Sequence, residues 1–127
     1  MRQIPYEQFA SFEHVYLEDS YVLNITTTEH SAEFTLDLVL LEGHPLYQRP
    51  SAGEQHCFRR ALLHFFNAKS VGWIDQSMRP SEDANGEVDY GNIDVMYLED
   101  GEYHVAGEWG ELRIVSSPPV IDVIQDH

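Results

Sequence analysis

The chain of 127 residues is 43% hydrophobic and 12% aromatic, a composition that excludes intrinsic disorder and suits a single domain, residues 1–127, whose core needs no disulfide or metal. Its 22 Asp and Glu residues against 7 Lys and Arg give a formal net charge of −15. A field of that sign repels nucleic-acid phosphates and anionic membranes, so we expect neither nucleic acid nor a membrane as a partner.

Alternation of apolar and polar residues predicts strands in the N-terminal third of the chain. The first segment, IPYEQFASF, can form a single helical turn. HVYLEDS predicts a short strand that ends at a turn near Glu18 to Ser20, and YVLNITT predicts a second strand. SAEFTLDLVLLEG is the clearest strand, and the polar gap TTEHS makes it the partner of the second strand in a hairpin.

A loop with two prolines and two glycines, EGHPLYQRPSAGEQ, follows this hairpin. After it, the apolar residues of CFRRALLHFF fit a helical stripe, and they also fit a strand that is covered on both faces. We favour the strand, because the surrounding segments are β. NAKS then predicts a turn into a short strand, Val71 to Ile74.

The C-terminal part predicts an acidic loop, residues 75–92, and then a hairpin that turns at Glu99-Asp100-Gly101. Ile93, Val95 and Tyr97 share one face of the first strand of this hairpin. ELRIVSS and VIDVI supply the last strands. In total, about eight or nine short strands with frequent turn signals and little helix are typical of an all-β, antiparallel β-sandwich or small barrel.

Cysteine content and the N-terminus bear on the cellular compartment. The single cysteine, Cys57, cannot form an intrachain disulfide, and MRQIPYEQFASF lacks the apolar segment of a secretory signal. No apolar run approaches the roughly 18 residues of a membrane span. We therefore expect a soluble cytoplasmic protein in which Cys57 is a small buried hydrophobe.

The stretch GEWGEL, residues 107–112, is where the sequence comes nearest to a catalytic site. Two carboxylates about 5 to 9.5 Å apart flank the scissile bond in glycosidases, and Glu108 and Glu111 could form such a pair. In phase with the predicted strands, however, Trp109 lies in the core and Gly110 reverses the chain with a positive φ. We favour the turn interpretation and assign no catalytic residue.

Metal-binding patterns are incomplete. Four oxygen-bearing side chains occupy alternate positions from Asp83 to Asp89, a spacing that suits calcium, but Val88 stands where an EF-hand loop requires glycine. The histidines and the cysteine of HCFRRALLH lack the spacing of a zinc site. We expect no resident metal and no cofactor.

The aromatic residues fall mostly in phase with strand faces, so core packing explains most of them. They are Tyr16, Tyr21, Phe34, Phe65, Trp73, Tyr97, Tyr103 and Trp109. A sheet face that carries exposed Tyr and Trp ringed by acids would instead be a protein-binding surface, because these aromatic residues dominate interface hot spots.

The size, the acidic charge, the β-rich pattern and the ending HVAGEWGELRIVSS resemble the small acidic immunity proteins that bacteria encode beside polymorphic toxins, and uncharacterised bacterial β-rich families of this size. The resemblance implies a non-enzymatic protein whose acidic surface docks on a basic protein partner, such as a nuclease-type toxin. We expect the contacting acids in the second loop and at the hairpin tip: Glu82, Asp83, Glu87, Asp89, Glu99, Asp100 and Glu102.

Three other functions fit the same features. One is a β-barrel that binds a small ligand, since aromatic side chains also line pockets. Another is an enzyme that uses Glu108 and Glu111. The third is a structural domain that is acidic only for solubility or for a salty cell interior.

Overall fold

The computed structural model describes residues 2–82, 84 and 86–124, and these residues form antiparallel β-sheets with a single 3₁₀ turn, Tyr6–Gln8. The strands are β1 (Ile4–Pro5), β2 (Val15–Thr27), β3 (Ala32–Leu40), β4 (Cys57–Phe65), β5 (Ser70–Gln76), β6 (Ser81–Glu82), β7 (Val88–Asp89), β8 (Val95–Glu99), β9 (Glu102–Gly107), β10 (Gly110–Val115) and β11 (Val120–Val123). The all-β prediction is confirmed.

Two sheets share one apolar core. A five-stranded sheet has the order β1-β8-β9-β10-β5, and a four-stranded sheet has the order β11-β4-β3-β2. Phe34 of the second sheet meets Trp109 of the first with ring centroids 5.3 Å apart, and Phe65 meets Tyr103 at 5.6 Å. Of the two predicted architectures, two separate sheets joined by their inner faces correspond to the β-sandwich.

The segment in which helix and strand competed is a strand, β4. It pairs with β3 along its whole length, from Leu40↔Cys57 to Ala32↔Phe65. Ala61, Leu63 and Phe65 on one face of β4 are fully buried in the core. The strand prediction is confirmed, because the apolar residues of this segment serve one inner face and an outer face that is half covered.

The predicted turn near Glu18 to Ser20 is wrong, because β2 continues from Val15 to Thr27. The register steps from Tyr16↔Val39 to Tyr21↔Asp37, so extra residues form a bulge within the strand. Ser20 is fully buried in this bulge. Its Oγ donates to the carbonyl of Tyr16 (2.7 Å) and accepts the amide of Val39 (2.8 Å). The side chain thus replaces ladder bonds that the bulge interrupts, and the strand stays extended.

The prediction that Ile93, Val95 and Tyr97 share one face is wrong for Ile93, which is buried, whereas Val95 is exposed and Tyr97 stacks on His104 on the outer face. Within β8, Met96 is buried and Leu98 packs against the core. The amide of Asp94 donates to the carbonyl of Ala106, the residue that Val95 pairs with in the ladder. Two residues therefore oppose one at the start of β8, and this extra residue reverses the alternation.

The N-terminal segment forms the single helical turn that its sequence predicts, and Tyr6 and Phe9 pack with the core. Tyr6 is buried, and its hydroxyl donates to the Glu18 carboxylate and accepts the amide of Leu17. Burial and the bond to Glu18 raise the pKa of Tyr6. In residues 2–82, 84 and 86–124, no helix is long and apolar enough to cross a membrane.

Candidate binding groove

The outer face of the four-stranded sheet carries an aromatic floor. Tyr21 of β2 is 41% exposed, and its ring centroid lies 6.0 Å from that of Phe58 on β4, with the ring planes tilted by 35°. Their neighbours along the strands, Val22 and Cys57, turn inward and are buried. Because side chains alternate between sheet faces, burial of these neighbours places Tyr21 and Phe58 on the outside.

One wall of the floor comes from the segment that follows β7. The amide of Tyr90 donates to the carbonyl of Val22, and the amide of Val22 donates to the carbonyl of Gly91, both at 2.8 Å. The side-chain amide of Asn92 also donates to the carbonyl of Ser20 (2.6 Å). These bonds hold the chain along the edge of β2, so the preceding hairpin β6–β7 stands beside Tyr21.

The opposite wall comes from the loop before β4. His56 lies edge-on to Phe58, with ring centroids 5.8 Å apart, and its Nε2 lies 3.0 Å from Oδ2 of Asp19. Glu54 of the same loop is exposed. The loop and the β6–β7 hairpin therefore face each other across the aromatic floor.

We call the resulting depression the acidic groove. It encloses about 610 Å³ and is lined by Tyr21, Leu23, Asp37, Glu54, Phe58, Glu87, Val88 and Asp89. Four of these residues carry apolar or aromatic side chains, and four are carboxylates. At one end the depression continues over Asp19 and His56.

The charge of the acidic groove is strongly negative. Asp37 pairs with Arg60, whose Nε lies 3.2 Å from Oδ1 of Asp37. Asp89 accepts the amide of Gly91 (2.8 Å), which orients its carboxylate on the wall. Glu54 and Glu87 lie at exposed positions on the two walls. A cation between the walls would therefore meet carboxylates from both sides.

The acids predicted at a partner surface fall into two groups. Glu87 and Asp89 line the acidic groove, and Glu82 pairs with Val88 in the β6–β7 hairpin. Asp83 lies outside the described residues. The second group, at the tip of the β8–β9 hairpin, consists of Glu99, Asp100 and Glu102. Strand β8, five residues and about 13 Å long, separates this tip from the segment that forms the groove wall, so the structure does not bring the two groups together.

The aromatic floor was not predicted from the sequence. Core packing holds for the buried Phe34, Phe65, Tyr103 and Trp109, but Tyr16 and Tyr21 are 37% and 41% exposed. The sequence shows only that a serine precedes Tyr21; that Ser20 is buried on the inner face, and so marks a break in the alternation, is seen only in the structure. That break could not be recognised without the partner strand.

The GEWGEL stretch is a turn. Trp109 is fully buried, and its Nε1 donates to the carbonyl of Asn92 (3.0 Å). Gly110 has a φ of +131°, and a Cβ there would lie 2.1 Å from the carbonyl oxygen of Asp75. Glu108 is exposed, while Glu111 is partly exposed and lies 3.1 Å from Nε of Arg113. The pair has the surroundings of a turn and not those of a buried catalytic site.

The remaining candidate ligands have structural partners. Cys57 is buried, and its Sγ accepts the amide of Gln48 (3.4 Å). His64 lies between two carboxylates on the outer face, 2.9 Å from Glu33 and 3.4 Å from Asp122. Within the part of the chain that the structure describes, no group of three or more His, Cys, Asp or Glu residues is arranged to hold a metal ion.

Comparison with known proteins adds no relative. No protein-family model, curated protein or solved structure matches the chain.

Proposed function

We propose that this chain is a non-enzymatic binding protein that docks a basic protein partner in the acidic groove. The observation that carries the proposal is the position of exposed Tyr21 and partly exposed Phe58 between two carboxylate-bearing walls. Aromatic side chains at the centre of an interface supply most of its binding energy. Charges around them speed the encounter with a partner of opposite sign and orient it.

The net charge of the chain supports a basic partner. With a formal net charge of −15, the whole molecule attracts cations over several ångströms. The attraction is strongest where carboxylates lie on both sides of a depression. A second copy of this chain would be repelled by the same field. We therefore assign the groove to a different, positively charged protein.

An immunity-type inhibitor is the form of this function that we favour. A nuclease-type toxin binds phosphates with clustered Lys and Arg residues, and clustered carboxylates on an inhibitor can occupy such a site in place of nucleic acid. The small size and the acidic charge of this chain support that role.

Two triple variants with equal net charge test the proposal. One neutralises the groove (Glu54→Gln, Glu87→Gln, Asp89→Asn), and the control neutralises the hairpin tip (Glu99→Gln, Asp100→Asn, Glu102→Gln). The probe is a short labelled peptide in which glycine alternates with lysine and arginine, and fluorescence anisotropy measures its binding. Each variant removes three negative charges, so bulk charge cannot explain a difference between them.

We expect the groove variant to bind the peptide about 10-fold more weakly, because it removes three carboxylates from one site. We expect the tip variant to change the affinity less than about 2-fold at physiological salt, because charges more than about 8 Å from the bound peptide are largely screened. Equal losses in the two variants would contradict docking in the groove, and would assign binding to the overall charge.

A further inference from the structure

We propose that the acidic groove binds arginine in preference to lysine, and that the bound arginine side chain belongs to an extended segment of the basic partner. This inference rests on the proposed function and specifies its ligand. The side chains that carry it are the ring pair Tyr21 and Phe58 and the wall carboxylates of Glu54 and Asp89.

The aromatic floor favours a guanidinium group. Tyr21 lies on β2 and Phe58 on β4, the two strands that flank β3. Their ring centroids are 6.0 Å apart and their planes differ by 35°, so together they form a shallow apolar surface. A guanidinium is planar and weakly hydrated, and it stacks on aromatic faces, whereas an ammonium group is compact and strongly hydrated. Val88, exposed on the β6–β7 wall, adds apolar surface for the methylene groups of the incoming side chain.

The walls complete the arrangement with carboxylates. The same sheet face already holds an arginine–carboxylate pair. Arg60 follows Phe58 by two residues on β4, and its Nε lies 3.2 Å from Oδ1 of Asp37. Since Asp37 is engaged by Arg60, we assign the incoming guanidinium to Glu54 and Asp89. The fork of N–H groups on arginine matches a carboxylate through two parallel hydrogen bonds, which lysine cannot form.

The edge of β2 restricts how a partner can bind here. Where a sheet edge is open, an extended peptide can add a strand and bind through main-chain hydrogen bonds. At Val22 both main-chain groups are already bonded to Tyr90 and Gly91. A segment that enters the groove therefore cannot add a strand at Val22, and beside Tyr21 its side chains are the groups that the groove can recognise.

Two peptides and two matched variants test this inference. The peptides alternate glycine with arginine in one case and glycine with lysine in the other, and have equal length and charge. Tyr21→Leu removes the aromatic face while keeping an apolar side chain. Tyr97→Leu is the control, because Tyr97 lies on the outer face of the other sheet, stacked on His104. Phe58→Leu provides a second test of the floor if Tyr21→Leu does not fold, as judged by circular dichroism.

We expect the unmodified chain to bind the arginine peptide about 3- to 10-fold more tightly than the lysine peptide, the range that an exposed to partly desolvated cation–π contact allows. In Tyr21→Leu or Phe58→Leu the two affinities should approach each other through a loss on the arginine side. In Tyr97→Leu the ratio should be unchanged.

The outcomes separate the inference from the function on which it rests. The unmodified chain could bind both peptides equally, with binding weakened by the groove triple variant but not by the tip triple variant. That result would overturn the arginine preference and keep the basic-partner function. A preference that persists in both floor variants would overturn the role of the aromatic floor. Failure of both peptides to bind the unmodified chain would overturn the proposed function itself.

Discussion

Replacing Ser20 by alanine tests the feature that places Tyr21 on the outer face. Ser20 is fully buried within the β2 bulge, where its Oγ donates to the carbonyl of Tyr16 and accepts the amide of Val39. Val39 is itself fully buried, so water cannot readily take over its amide. Removing one partner and leaving a buried polar group unsatisfied costs about 1 to 3 kcal/mol.

Because Ser20→Ala leaves a donor and an acceptor without the hydroxyl, we expect a loss of about 2 to 3 kcal/mol in the free energy of unfolding. For a domain of this size the loss lowers Tm by about 10 °C, and it shifts the urea midpoint by about 1 to 2 M. Urea unfolding followed by the fluorescence of the buried Trp109 measures it directly.

An exposed serine provides the control. Ser81→Ala changes the same atoms at an exposed position in β6 and should change stability by less than about 0.5 kcal/mol. If Ser20→Ala were as mild as Ser81→Ala, Ser20 would not be what holds the bulge, and the account of how Tyr21 reaches the groove would be wrong.

Two further variants test the turn at GEWGEL and the protonation of His44. Gly110→Ala should lower the free energy of unfolding by about 3 kcal/mol or more, because φ at Gly110 is +131° and a Cβ there would lie 2.1 Å from the carbonyl oxygen of Asp75. Gly72→Ala is the control, since a Cβ at Gly72 would lie no nearer than 4.0 Å to an atom outside its chain neighbours, and its loss in the same urea assay should be far smaller. Equal losses in the two variants would contradict the clash at Gly110. Burial and the neighbouring His14 lower the pKa of His44 below its usual 6.5, so the unfolded chain takes up the proton first and stability falls as the pH drops from 6.5 toward the folded-state pKa. His44→Asn keeps an acceptor for the amide of Leu46 without titrating; its Tm should fall less than that of the unmodified chain between about pH 7.5 and 5.5, and parallel declines would contradict the assignment.

Local patterns predicted most of the fold. The alternation in β3 was clear enough to identify the strand, and the β-rich surroundings decided correctly for β4. The burial of Trp109 and the positive φ of Gly110 followed from the phase of the flanking strands. Each of these features depends on residues that are close together in the chain, and a single sequence displays them.

The errors arose where distant residues decide the local structure. The bulge in β2 depends on a bond between Ser20 and Val39, which no short window contains. The reversed face of β8 likewise depends on Ala106, which opposes two residues at the start of that strand. An odd number of extra residues moves every later side chain to the other face. The bulge in β2 has three, because five residue steps from Tyr16 to Tyr21 oppose two from Val39 to Asp37, and β8 has one, so both irregularities produced errors in the predicted faces.

The candidate site was predictable only in part. Charge and loop position predicted Glu87 and Asp89 as contact residues; both line the acidic groove, and their contact with a partner stays a prediction. The floor could not be predicted, because the outward position of Tyr21 depends on the bulge that Ser20 and Val39 stabilise. The wall beside it forms only when the chain at Tyr90 and Gly91 pairs with Val22. Sequence also gave no means to separate the groove acids from the acids of the hairpin tip.

Mapping the binding site of a basic peptide by NMR tests the central claim most directly. The chain would be labelled with ¹⁵N and titrated with the peptide in which glycine alternates with arginine, while amide shifts are followed residue by residue. We expect the largest changes at Tyr21, Phe58 and Asp89, with little change at Asp100 on the hairpin tip. Shifts centred on the tip, or spread evenly over all acidic residues, would contradict a docking site in the acidic groove.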